Sequence, residues 1–229
     1  PETNVDDLIK QIKGAFSGVT GKFGRFGFGG ILVFGALIIA AIYLGSGVYT
    51  INPGEQAVLR LFGAAQGNPI TQEGLHWWWP SPVGKKNVVL TTETRRMELG
   101  FVSTAGGGTA AVPVESLMIS GDTNIVDVQL LIQYNIKDVE AFLFKSVNPD
   151  TIILKGAVET AVRQVVGQRN IDDVLTTEKE SVQAETKLLL QDLLDLYDTG
   201  INITEVKLQN VRPPSQVKDA FDDLVRASE

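Results

Sequence analysis

The run IVDVQLLIQYN, residues 125–135, decides the fold. Val126, Val128, Leu130, Ile132 and Tyr134 fall on one face of an extended chain. Asp127, Gln129, Gln133 and Asn135 fall on the other, with Leu131 as the exception. A period of two with one polar face predicts a half-buried antiparallel strand. Ahead of it, Val114 to Ile119 reads as a strand, joined to it by the turn Ser120-Gly121-Asp122-Thr123-Asn124. Glu55 to Phe62, ended by Gly63, and Val88 to Thr92 are further strands. Asn52-Pro53-Gly54 is a turn signal, and Gly67, Asn68-Pro69 and Gly74 mark a loop. Ala105-Gly106-Gly107-Gly108 has no side chains with which to pack a core and predicts a flexible loop.

Past residue 135 the apolar period becomes helical. Asp138 caps a short helix through Lys145. Asp150 opens another, with Leu154, Val158, Ala161, Val162 and Val165 on one stripe and Gly167 past its end. Thr177 and Glu180 form a capping box for a long helix reaching about Tyr197, closed by Gly200. Ile201 to Val211 returns as a strand. Pro213-Pro214 breaks it, and Ser215 caps a final helix. Strands, then helices, then a strand and a helix describe an α+β domain rather than a doubly wound one.

Upstream lies a segment of another kind. No charge occurs between Arg25 and Glu55, and its centre reads ILVFGALIIAAIYL over residues 31–44. As a helix, Phe26 to Tyr49 is roughly 36 Å long, enough to cross a ~30 Å hydrocarbon core with some tilt. The segment predicts a single transmembrane helix over residues 26–49, anchored by Ile31, Leu32, Val33, Phe34, Leu37, Ile38, Ile39, Ile42 and Leu44. It is too long for the apolar region of a cleaved signal peptide. A buried core helix is the competing reading. Four cations precede the span (Lys10, Lys13, Lys22, Arg25), and only Arg60 falls in the 35 residues after it. The positive-inside rule puts residues 1–25 in the cytoplasm and the large domain outside. Tyr43 and Tyr49 are placed for the outer interface. Pro1 in place of Met predicts that the natural chain begins upstream.

Composition excludes several functions. Lys and Arg number 20 against 27 Asp and Glu, a net charge of −7. Residues 1–25 carry +1, so the remaining body carries −8. That balance opposes nucleic-acid binding, which needs clustered cations. Without Cys there is no disulfide, thiolate metal cluster or cysteine nucleophile. His76 is the only histidine, so a zinc site cannot be assembled around it, and no Gly-x-Ser-x-Gly elbow accompanies it. The glycines from Gly24 to Gly30 precede a span rather than joining a strand to a helix, and no Gly-Lys-Ser/Thr follows. Asn202-Ile203-Thr204 matches a glycosylation sequon but sits in a predicted strand. Glu178, Glu180 and Glu185 read as a solvated helix face. No enzyme, cofactor or metal site is expected.

Two features remain. Trp77, Trp78 and Trp79 are adjacent, followed by Pro80. In an extended chain they cannot all face one core. They are read either as a membrane-interface contact or as core or subunit packing. The final helix carries Val217, Phe221, Leu224 and Val225 on one side, with charges elsewhere. Such a stripe needs a cover, either its own domain or neighbouring subunits joined as in a coiled coil.

Taken together, the stretches from Tyr49 to Gly63, Gly74 to Pro80, Asp122 to Ile136 and Gly200 to Asp223 resemble the stomatin/prohibitin/flotillin/HflK (SPFH, band 7) family. From Gly200 onward the HflK branch is the most similar. The Gly-rich segment at 105–108 looks like an insertion against the family pattern. The resemblance implies a membrane-proximal SPFH1 subdomain over 50–97, an SPFH2 subdomain over 98–212 and the start of a coiled-coil helix over 213–229. It further implies a scaffold of the bacterial inner membrane that assembles with itself and an HflC-like sibling. The resulting ring or cage would enclose an FtsH-type AAA+ protease and a patch of lipid. A lipid-microdomain organiser independent of any protease is the alternative within the family.

Overall fold

The computed structural model describes residues 28–104, 106–174 and 178–212, with side chains from Val33 onward. The described chain forms two compact units. One takes residues up to Thr50 with 60–64 and 75–85; the other takes 51–59, 65–74 and everything from Lys86.

The first unit holds α1 (Phe28–Gly45) and the paired strands β1 (Val48–Ile51) and β4 (Gly74–Trp77). At 18 residues α1 is roughly 27 Å long. Among the described residues no helix is long and apolar enough to cross a membrane. The helix expected over 26–49 therefore ends four residues early. Gly45-Ser46-Gly47 stops it, with the Ser46 hydroxyl donating to Tyr43 O at 2.7 Å. The next residues extend into β1, which moves Tyr49 from a helix end to a buried strand position.

Three strands, β2 (Glu55–Leu61), β3 (Ala64–Ala65) and β5 (Gly84–Leu90), form a sheet in the order β3-β2-β5. In the second unit Val58 of β2 and Val89 of β5 pack with Ile136 and Val139.

The larger core of the second unit is organised by β10 (Ile125–Ile136). One edge pairs antiparallel with β11 (Ile201–Arg212). The other pairs with β9 (Leu117–Ile119) at one end and β6 (Arg95–Leu99) at the other. The expected apolar set Val126, Val128, Leu130, Ile132 and Tyr134 is buried throughout. Leu131 is only half-buried, as its misplaced position in the alternation requires, whereas Gln129 is buried. The helices α3 (Leu154–Val166) and α4 (Lys179–Leu196) cover this face. All five stripe residues expected of α3 are buried, and α4 contributes Val182, Leu190 and Leu194.

Strand β11 carries two irregularities. Gln129 pairs with Asn210 but Leu130 with Leu208, and Gln133 pairs with Glu205 but Tyr134 with Ile203. Each skip bulges one β11 residue, Gln209 and Thr204, out of the ladder. The freed Thr204 carbonyl accepts from Lys187 Nζ at 2.8 Å. One turn to either side, Gln183 accepts from Leu208 N, and Gln191 both accepts from Ile203 N and donates to Ile201 O. Residues at i, i+4 and i+8 of α4 thus satisfy the outer edge of the sheet, which would otherwise be open to a further strand.

Several elements differ from the sequence expectation. Val114 to Ile119 is not one strand. Pro113, which suits a first helical turn, opens the short helix α2 (Pro113–Ser116) before β9 begins. The glycine segment is the tip of a hairpin between β7 (Phe101–Ser103) and β8 (Thr109–Ala111), closed by Thr104 N to Gly108 O at 2.8 Å. Strands β4 and β6 were not anticipated, because Gly74–Trp77 and Arg95–Leu99 are too short for a period to show. Asp138 does cap its turn, accepting from Ala141 N at 3.0 Å. The turn it caps, Ala141–Lys145, and the turn Pro149–Ile153 before α3 are both π-helical. Helix α4 begins after Glu178 without a side-chain cap; Glu178 instead pairs with Arg169. Thr177 and the final helix with its assembly residues lie outside the described residues. Helix α4 is capped at Tyr197, and Asp198, at φ +51°, takes the left-handed turn past its end. Gly200, expected to close the helix, stands two residues further on at φ +70°, where a Cβ would lie 2.1 Å from Asp138 O.

Asp122 ties the β9–β10 turn to the loop after α3. It accepts from the Ser120 hydroxyl, from Asn124 Nδ2 at 2.8 Å and from Ile171 N at 3.3 Å. These donors, the Ser120 hydroxyl foremost, hold its carboxyl below the usual aspartate value of 3.8. A depressed folded pKa stabilises above the unfolded value and is lost as pH falls through the folded one. Thermal unfolding should therefore show Tm falling below about pH 4. Asp122→Ala should lower Tm near neutrality and make that acid limb shallower.

Candidate membrane-facing site

The first unit concentrates apolar surface where α1 ends. Val33, Phe34, Leu37, Ile38, Ile39, Ile42 and Leu44 are all exposed, on every side of the helix. Of the remaining expected anchors, Ile31 and Leu32 belong to the helix, with side chains outside the described set. Leaving such surface in water costs roughly 25 cal/mol per Å².

The end of this helix is held by the tryptophan segment. Trp77 Nε1 donates to Leu44 O at 2.7 Å, a terminal carbonyl that also accepts from Gly47 N at 3.2 Å in the turn after the helix. The Tyr43 hydroxyl donates to Pro80 O at 2.9 Å. Trp78 N donates to Gly47 O at 3.0 Å, and Trp78 Nε1 to Arg60 O at 3.1 Å. Two glycines permit the close approach. A Cβ on Gly47 would lie 2.1 Å from Trp78 O, and one on Gly84 2.3 Å from Trp79 O.

Alternation along the chain sorts the three indoles. Trp77 and Trp79 meet edge to face at 5.4 Å and remain 46% and 42% exposed, whereas Trp78 is half-buried. Leu75 and Phe62 of the same unit are exposed as well. Exposed indole rings beside an apolar helix, with the Trp77 N–H satisfied by Leu44 O, suit the boundary between hydrocarbon and headgroups. The structure brings together Tyr43, Trp77 and Trp79 and separates Tyr49, which packs its buried ring 5.8 Å from that of His76. The clamp residues Gly47, Arg60 and Gly84 were missed. Their only sequence signal was the Gly-Ser-Gly after the span, which reads as a helix stop but does not name its partner.

The polar residues weighed for chemistry have structural partners. Glu178 and Glu185 both close on Arg169. Asn202 Nδ2 donates to Asn135 Oδ1 at 3.0 Å within the sheet. Among the described residues no group of three His, Cys, Asp or Glu side chains is placed to hold a metal.

An apolar helix in one unit and a helix-covered antiparallel sheet in the other give an α+β chain of mixed helices and antiparallel sheets. The family model for the SPFH domain / Band 7 family matches residues 49–229, and the chain belongs to that family. Its similar relatives place it in the HflK branch. Protein HflK of Haemophilus influenzae is 32% identical over 89% of this chain and 45% of its own length. Protein HflK of Vibrio cholerae is 33% identical over 91% and 49%. The Escherichia coli relative, named Modulator of FtsH protease HflK, is 29% identical over 88% and 43%. The chain thus spans somewhat less than half the length of these relatives.

Two measurements check this site. In liposomes containing brominated lipids, fluorescence of Trp77 and Trp79 should be quenched and that of Trp78 spared, read with single-tryptophan variants; absence of quenching removes the membrane contact. Gly47→Ala should cost about 1–3 kcal/mol in denaturant unfolding, because its methyl has no room beside the Trp78 carbonyl.

Proposed function

We propose that the chain is a non-enzymatic membrane scaffold of the HflK type. It assembles with itself and an HflC-like sibling into a ring or cage around an FtsH-type AAA+ protease and controls access of membrane substrates to it. The observation that carries the proposal is the relationship to HflK proteins over nearly nine-tenths of the chain, one of them named a modulator of FtsH protease. The reading places the chain in the bacterial inner membrane, with residues 1–25 cytoplasmic, the apolar helix ending at Gly45 as the span and the SPFH domain outside.

The mechanism is steric. Helix α1 anchors the subunit in the bilayer. The bonds from Trp77 and Tyr43 fix the angle at which the chain leaves the helix, so neighbouring subunits stand alike. Exposed Trp77 and Trp79 rest at the outer leaflet. Val217, Phe221, Leu224 and Val225 are assigned to contact between subunits along the final helix. A wall built this way admits or excludes substrates by size and position and needs no reactive group. The exposed indoles favour a second reading, a lipid-microdomain organiser of the stomatin/flotillin type with no protease partner.

Mild detergent extraction followed by affinity purification separates the two. The protease and the sibling subunit copurify under the first reading, and lipid alone under the second. The double variant Val217→Asp, Phe221→Asp should reduce the particle to much smaller species in sedimentation. An unchanged large particle would remove the final helix as an assembly surface.

A further inference from the structure

One strand edge of the second unit lacks the cover that β11 receives from α4. In the ribbon of β7 and β8, Phe101 stands opposite Ala111, Val102 opposite Ala110 and Ser103 opposite Thr109. At one end of this ladder Val112 N donates to Gly100 O, and at the other Thr104 N donates to Gly108 O, both at 2.8 Å. Bonded and non-bonded pairs alternate in an antiparallel ladder, so the Val102–Ala110 pair bonds inside the ribbon. Phe101, Ser103, Thr109 and Ala111 therefore turn their N–H and C=O groups outward. On the β7 side the Glu98 carboxylate accepts from Ser103 N at 2.8 Å and from the Ser103 hydroxyl. A carboxylate set against an edge discourages a further strand. On the β8 side, among the described residues, no hydrogen bond reaches the outward groups of Thr109 or Ala111.

The composition of the ribbon is the second observation. From Phe101 to Val114 the sequence carries no charge, its longest uncharged run outside the apolar segment before Glu55. All three residues of β8 are exposed. Edge strands are commonly guarded by lysine, proline or a bulge, and Thr109-Ala110-Ala111 has none of these. A two-stranded ribbon is marginally stable by itself, so a further strand on β8 strengthens it.

Charge and symmetry select the occupant. The chain carries −7, yet two β8 strands brought together set no charge against another. A foreign strand is selected through pockets for its alternate side chains, and Thr109, Ala110 and Ala111 are too small to shape them. Two identical edges, in contrast, pair antiparallel about a two-fold axis. With Ala110 on that axis, Thr109 of each copy faces Ala111 of the other. Each of these two pairs exchanges both of its outward backbone bonds, and Ala110 faces Ala110 as the non-bonded pair between them. We infer that β8 joins β8 of a second copy, merging two ribbons into one four-stranded sheet. So few bonds make a weak contact alone; it acts between copies already held side by side in one bilayer, a setting that rests on the membrane reading above. It is separate from the contact assigned to the final helix.

The absence of cysteine from the sequence makes the test direct, since one introduced thiol can pair only with its copy. The full chain is reconstituted in liposomes, where flotation reports membrane insertion independently of crosslinking. On mild oxidation Ala110→Cys should form a disulfide-linked dimer about tenfold faster than the control variants, because a non-bonded antiparallel pair holds its Cα atoms about 4.5 Å apart, within disulfide reach. The controls are Ile119→Cys and Leu188→Cys, at positions 64% and 69% exposed. Adding Ala111→Pro removes an outward N–H and no ladder bond, and adding Thr109→Lys keeps every N–H but guards the edge with charge. Each should return the Ala110→Cys rate to that of the controls, with circular dichroism unchanged. A photocrosslinker at position 110 in native membranes should likewise join two copies. A rate at Ala110→Cys no higher than the controls in floated liposomes, or crosslinking unmoved by both edge variants, would overturn the assignment. So would a photoproduct with a different protein in place of the dimer, which would make the occupant a foreign strand.

Discussion

The second unit depends on one strand being paired on both edges. β10 gives one edge to β11 along nearly its whole length and divides the other between β9 and β6. Its apolar face is then committed to α3 and α4. A slip of one residue would turn Val128, Leu130 and Ile132 to the polar side and leave Gln129 and Gln133 against the helices. Burial fixes the register, and the register in turn places every element that hangs from the sheet, including the Asp122 turn and the loop after α3.

The outer edge of β11 shows how the helices do more than bury surface. Two bulges break the ladder, and the backbone groups along this edge, Thr204 O at a bulge and Leu208 N, Ile203 N and Ile201 O beside them, need donors and acceptors. Gln183, Lys187 and Gln191 supply them from successive turns of α4. A sheet covered in this way has less open backbone for unintended strand addition.

In the first unit the governing constraint is the end of a helix. The last carbonyls of α1 are met by Ser46 and Gly47 of the turn that follows, and the tryptophan segment adds a second donor to Leu44 O. That bond orients Trp77 and, through alternation, Trp79, while Trp78 turns inward to Arg60 O. The same geometry that stops the helix therefore presents two indoles beside its apolar surface. The family relationship to HflK proteins gives this arrangement its functional reading, and the residues themselves give its physical basis.

Much of this was legible in the amino-acid order. Long periodic segments declared themselves: the apolar run of α1, the alternation of β10, the stripe of α3 and the return strand after Gly200. Each carries enough repeats for its period to survive one exception such as Leu131. Short strands such as β4 and β6 did not, since four or five residues cannot establish a period. Local chemistry also left ambiguities: a glycine-rich run is equally a linker or a hairpin tip, and Thr177–Glu180 describes a cap whether or not one forms. What the order of residues determined by itself was therefore element type and buried face, because both follow from near neighbours along the chain. Only the tertiary structure decided that Tyr49 is buried and that Trp77 caps Leu44. Those outcomes depend on residues tens of positions apart, and no local pattern records which of them will meet.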